Sequence, residues 1–146
     1  MQNLFECKIR YEKTLENGKE QKVTEPYLVD ALSFTEAEAR IIQEVTPFIS
    51  GEFTVTDIKR AKINELVLNH RDSDDRYFKC KLVYITIDEK SGKEKKTATN
   101  LIVKAADLRT AVKYTDEHMK GSMADYQLAS MVETAYIDVF LYESKS

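Results

Sequence analysis

Apolar and polar residues alternate from Phe5 to Tyr11, with Phe5, Cys7, Ile9 and Tyr11 in one set of positions and Glu6, Lys8 and Arg10 in the other. A period of two predicts a β-strand with one buried face. The pattern returns at a constant offset of 73 as Phe78, Cys80, Leu82 and Tyr84, with Lys79 and Lys81 between them. Val83, Ile85 and Ile87 make the other face of this second strand more apolar, which predicts a more central place in a sheet.

The correspondence continues at an offset of 74, since Gly18 to Lys22 reads GKEQK and Gly92 to Lys96 reads GKEKK. One residue has been gained in the turn. Asn17-Gly18 and Ser91-Gly92 supply the positive φ that a tight hairpin needs. The return strands run through Tyr27-Leu28-Val29 and Leu101-Ile102-Val103 and end at Ala31 and Ala105. Pro26 has no N–H to donate, which predicts an edge position or a bulge in the first of them.

A helix is expected next in each copy. Thr35 and Glu38 are spaced as a capping box, Ala37, Ile41, Ile42 and Val45 form an apolar stripe, and Pro47 stops the first helix. In the second, Asp107 is the expected N-cap, Leu108, Ala111, Val112 and Thr115 face inward, and Gly121 is the stop.

In the last segment, Phe53 to Ile58 is rich in β-branched residues, and its apolar phase shifts near Asp57 and Ile58 as in a long bulged strand. Tyr126 to Tyr142 alone fits a helical stripe through Leu128, Met131, Val132, Ala135, Tyr136, Val139 and Phe140. Yet Ala61, Ile63 and Leu66 match Ala135, Ile137 and Phe140 at an offset of 74, and Lys59, Arg60, Lys62 and Asn64 break any such stripe in the first copy. A strand is therefore the reading for both copies. The expected architecture is α+β: two ββαβ repeats, residues 2–68 and 76–143, joined by a linker at 69–75 and related by pseudo-twofold symmetry. Antiparallel sheets and two helices would share one core within a single domain, 1–146.

The 146 residues are 42% hydrophobic, enough for a real core, and 32% charged with a net charge of −3, which argues against a chain adapted as a whole to polyanions. There is no apolar signal core and no apolar run near the roughly 20 residues of a bilayer span, so a cytoplasmic protein with no membrane partner is expected. Cys7 and Cys80 form no close metal or redox pair. Their matching positions make a disulfide across a symmetry axis conceivable, but buried free thiols are the preferred reading.

Catalytic chemistry finds little material. The acidic run Asp72 to Asp75 lacks the glycine and glutamate of a calcium loop, with Tyr77 and Val83 at those positions, and reads as a solvated linker. His70 and His118 read as surface residues. No nucleophile elbow, P-loop or dinucleotide fingerprint occurs. No catalytic residue, metal or cofactor is expected, and the chain reads as something other than an enzyme.

Local charge is more suggestive. Between Arg76 and Lys104 eight basic residues face three acids. Lys79, Lys81, Lys90, Lys93, Lys95 and Lys96 form a candidate phosphate-tracking surface, with a weaker equivalent in Lys8, Arg10, Lys19 and Lys22, while Tyr27, Tyr77 and Tyr84 are candidate stacking faces if exposed. The bland alternative is that these lysines keep hairpin edges soluble. The expected role is a non-catalytic binding module for single-stranded DNA or RNA. The alternative is a protein-interaction or self-assembling module, a homodimer formed through exposed strand edges.

The stretches FECKIRYEK, TEPYLVDALSFTEAEARI, GEFTVTDIKRAKINE and KGSMADYQLAS resemble a family of small bacterial, Bacteroides-type or phage-borne proteins classed as a domain of unknown function. The resemblance covers nearly the whole chain. It implies a cytoplasmic, single-domain protein and carries no activity, cofactor or functional residue.

Overall fold

A computed structural model describes residues 3–142. The elements in order are β1 (Leu4–Thr14), β2 (Glu20–Asp30), α1 (Phe34–Val45), β3 (Phe53–Arg60), β4 (Glu65–Val67), β5 (Arg76–Ile87), β6 (Glu94–Ala105), α2 (Leu108–Met119), β7 (Asp125–Glu133) and β8 (Val139–Phe140). They form an α+β fold with two four-stranded sheets and two helices. Two compact units result: unit 1 combines residues up to Lys62 with those from Ala135 onward, and unit 2 spans Ile63–Thr134.

In unit 1 the strand order is β3-β1-β2-β8, antiparallel except for the short parallel pairing of β8 with β2. Phe5, Cys7 and Ile9 of β1, Tyr27 and Val29 of β2 and Ala37, Ile41 and Val45 of α1 are all buried in one cluster. The alternation in the strands and the i, i+4 spacing in the helix bring these residues to a common interface. In unit 2 the order is β4-β6-β5-β7, and β4 is the strand parallel to its neighbour. Its cluster contains Phe78, Cys80, Leu82, Leu101, Val103 and Ala111. Each unit thus has a hydrophobic cluster of its own, and Leu4, Leu28, Tyr77 and Ile102 are buried outside both clusters.

Phe53–Arg60 and Asp125–Glu133, the second from the segment that also fits a helical stripe, are both strands. The bulge falls where the phase shift predicts it: Lys8 opposes Asp57 and Ile9 opposes Val55, so Thr56 is the extra residue. In β7, Lys81 opposes Ser130 and Leu82 opposes Leu128, leaving Ala129 extra, at an offset of 73 from Thr56. Neither final segment is one long strand, however. At Ala61, whose N–H donates to Leu4 O (2.8 Å), the chain leaves β1, and it next pairs as β4 along β6. After Thr134, bonded likewise to Tyr77 O (2.9 Å), it pairs as β8 along β2.

The register of this last segment is also 73, not the 74 expected. Val67 packs on the unit 2 cluster and Phe140 on the unit 1 cluster, so Val67, not Leu66, is the counterpart of Phe140. The extra residue of the second hairpin is offset between helix and strand, where Thr46 to Glu52 has one residue more than the interval Lys120 to Asp125 that precedes Tyr126, the residue opposite Tyr84 as Phe53 is opposite Tyr11. Pro26 sits in β2 with its carbonyl accepting from Ile137 N–H (2.9 Å). A strand residue's N–H and C=O point to the same side, so the missing donor faces β8 and costs the β1–β2 ladder nothing.

The first helix is capped by Ser33, whose Oγ accepts from Glu36 N–H at 3.1 Å, not by the expected Thr35–Glu38 box. Ile42 and, in the second helix, Leu108 lie on the solvent side, 40% and 48% exposed, where both were expected to face inward. Asp107 caps α2 through Thr110 N–H (2.8 Å). The linker is docked, not merely solvated. Asp74 is 3% exposed, accepts from Tyr114 Oη (2.7 Å) and lies 3.7 Å from Arg71, whose guanidinium also donates to Tyr114 Oη. Asn69 Nδ2 donates to Lys104 O (3.1 Å) and fixes the start of the same loop.

Cys7 and Cys80 are free and buried. Burial, aided by Glu6 and Asp57, pushes the Cys7 thiol from 9.0 to about 12. Burial also raises Cys80, although its hydrogen bond with Thr115 acts in the opposite direction.

Three outcomes are expected. In urea unfolding, Ile41→Ala should cost roughly 2–5 kcal/mol by leaving a cavity in the unit 1 cluster, whereas Ile42→Ala should cost about 0.5 kcal/mol or less; equal losses would contradict the helix face described. A thiol reagent should leave both cysteines unmodified until denaturant is added. Because an unfolded chain ionises the Cys7 thiol near 9.0 and the folded chain only near 12, its contribution to stability is whole below the first value and is lost as pH rises toward the second. Urea midpoints should therefore fall across that alkaline interval.

Candidate nucleic-acid interface

The core-facing residues of β5 are the even-numbered Phe78, Cys80 and Leu82, so Lys79 and Lys81 stand on the sheet face turned away from α2. Lys79 lies between Ile102 of β6 and Val132 of β7, and Lys81 between Asn100 and Ser130. These two lysines with Ala98, Asn100, Ser130 and Val132 line an open depression of about 480 Å³. No acid lines it. Neither lysine is ion-paired to a described residue. Two positions along a strand set their α-carbons about 6.8 Å apart.

The other four lysines of the second half divide. Lys96 opposes Ile85 and shares the face of Lys79 and Lys81, while Lys95 opposes Thr86 and takes the opposite face. Lys90 and Lys93 occupy the turn between β5 and β6. That turn is tightly built: Asp88 carboxylate oxygens accept from Lys90 N–H (3.0 Å) and Ser91 Oγ (3.1 Å), Gly92 N–H donates to Asp88 O (2.7 Å), and Gly92 adopts φ 69°.

The weaker equivalent in unit 1 is electrically cancelled. Glu6 occupies the place that Lys79 holds in unit 2, and Lys59 Nζ sits 3.0 Å from its carboxylate, which raises the Lys59 pKa. Lys8 faces Asp57 across the ladder, and Lys22 faces Glu12. Arg10 and Lys22 border a wider hollow of about 730 Å³, but Glu12, Glu20 and Glu52 line it as well. Lys19 is in the first hairpin turn, its N–H bonded to Asn17 Oδ1 (3.0 Å). The ten predicted residues therefore do not converge; Lys79, Lys81 and Lys96 share one face.

The exposure that stacking requires is not met by Tyr27 and Tyr77, and Tyr84 is half-buried. Tyr77 and Tyr27 are 5% and 7% exposed. Tyr27 lies against Phe140, ring centroids 5.7 Å apart, and burial pushes its hydroxyl up to about 12. Tyr84 faces the core and its hydroxyl donates to Met119 Sδ (3.8 Å). Alternation puts Tyr27 and Tyr84 on core-facing positions, where burial outweighs any gain from stacking a ligand, whereas Tyr77 shares the strand face of Lys79 and Lys81 and is nevertheless buried. His118 Nε2 is 3.1 Å from Glu65 Oε2, and His70 is exposed.

Sequence reasoning did not single out Asn100 or Ser130, and it placed Val132 only in an apolar stripe. Only the register of β6 and β7 against β5 brings them beside the lysines. An ammonium pair flanked by an amide and a hydroxyl holds anions by charge and directed hydrogen bonds.

Among the described residues, no helix is long and apolar enough to cross a membrane. No curated protein and no solved structure matches the chain. A family model does match, over residues 3–142, and the chain belongs to that family, described as Domain of unknown function (DUF4494).

Proposed function

We propose that the chain is a non-catalytic binding module that holds single-stranded nucleic acid, DNA or RNA, by its phosphates along the outer face of the unit 2 sheet. The observation that carries this is the acid-free depression in which Lys79 and Lys81 stand without ion-pair partners among the described residues. Lys96 extends the same face. With a net charge of −3 on the chain, a stiff polyanion would meet repulsion beyond this patch, whereas a flexible strand can follow the lysines and turn away. Buried tyrosines leave backbone charge, not base stacking, as the source of affinity, so sequence preference should be slight. The setting that fits is cytoplasmic, in keeping with two unpaired thiols. A duplication relating the two halves belongs to the same reading and is supported by the bulges at Thr56 and Ala129, which repeat the offset of 73 between the opening strands.

Anisotropy of a labelled single strand should show binding at low salt, with log K falling against log salt by about 0.7 per phosphate contacted. Lys79→Glu with Lys81→Glu should abolish the signal, Lys93→Glu with Lys96→Glu should weaken it, and Lys8→Glu with Arg10→Glu should change it only a few-fold. No binding at low salt, or full binding by the first double variant, would overturn the assignment.

A further inference from the structure

Unit 1 receives its fourth strand from the far end of the chain, and the geometry points to exchange of that strand between molecules. We infer that residues Ala135–Leu141 swap between two copies of this chain, so that each copy's β8 completes the other's β2 edge in a dimer. Beyond β7 the chain has no regular structure from Thr134 to Asp138. It then docks on unit 1 through backbone and side-chain contacts, among them a hydrogen bond between Tyr136 and Glu6 that a second copy would equally supply. Ile137 N–H donates to Pro26 O (2.9 Å), Leu28 N–H donates to Asp138 O (3.1 Å), Phe140 lies on Tyr27, and Arg40 donates to Leu141 O (2.7 Å).

A second copy presents the same acceptors and the same ring. Exchange therefore preserves every one of these contacts, and protein concentration decides between the two arrangements. The ladder of β8 covers only Val139 and Phe140, so its release is a local opening rather than global unfolding. The corresponding strand of unit 2 has a longer ladder and is followed by a fastened loop. β4 pairs over three residues, Asn64 is bonded twice to Asn100 (both 2.8 Å), and Asn69 and Asp74 fasten the chain that follows it. Exchange is thus assigned to β8 and not to β4.

The test uses the full chain, half of it isotope-labelled, unfolded in urea, refolded at high concentration and separated by size with light scattering. A dimer that grows with concentration during refolding is expected, and isotope-filtered spectra of it should show Tyr27–Phe140 ring contacts between labelled and unlabelled copies. A monomer at every concentration overturns the proposal. So does a dimer in which the Tyr27–Phe140 contact stays within one chain.

Discussion

The short parallel ladders of β8 on β2 and of β4 on β6 are the constraint on which the rest of the structure depends. In each unit the central strand, β1 or β5, is already flanked on both sides, so the next open edge belongs to β2 or β6. Leu28, Val29, Leu101, Ile102 and Val103 on those strands are fully buried. Their backbone groups cannot be left without partners. The strand that meets this need cannot come from the neighbouring hairpin. It comes from the segment that follows β3 or β7, which runs on past its own sheet, and this is why each compact unit combines residues from both halves of the chain or ends short of its own half.

The clamps beyond those ladders differ in chemistry although they occupy matching places. In unit 1, Arg40 donates to Asp30 O and Leu141 O and lies over the ring of Tyr142, so one guanidinium ties the helix to the end of β2 and to the segment that follows β8. In unit 2 the matching helix position, at an offset of 74, is Tyr114, and the cation is supplied by Arg71 from the docked loop, with Asp74 accepting from the tyrosine hydroxyl. A buried carboxylate is tolerated there because both a hydroxyl and a guanidinium reach it.

The same backbone plan carries two different electrostatic faces. In unit 1 Glu6 neutralises Lys59 and Asp57 faces Lys8, whereas in unit 2 Lys79 stands at the place of Glu6 and Ser130 lies beside Lys81. Neither difference touches the core residues on the opposite face of the same strand. Strand alternation lets surface charge vary independently of packing, so a ligand-binding face can arise on one sheet while the other stays balanced.

Much of the architecture is a local property of the chain. The period of two in Phe5–Tyr11 and Phe78–Tyr84, the positive φ of Gly18 and Gly92, the cap at Asp107 and the phase shift near Asp57 each follow from steric and burial preferences acting over a few residues. They could be read without knowing what lies across the sheet. The cap at Ser33 rather than Thr35 turned on a choice between two hydroxyls that local pattern leaves nearly equal. What only the tertiary structure decided are the long-range pairings: β4 with β6, β8 with β2, Asp74 with Tyr114, and the meeting of Lys79 and Lys81 with Asn100 and Ser130. Residues so far apart in sequence carry no periodic signal of one another, because their association is selected by which open edge or buried polar group remains to be satisfied once the local elements have formed.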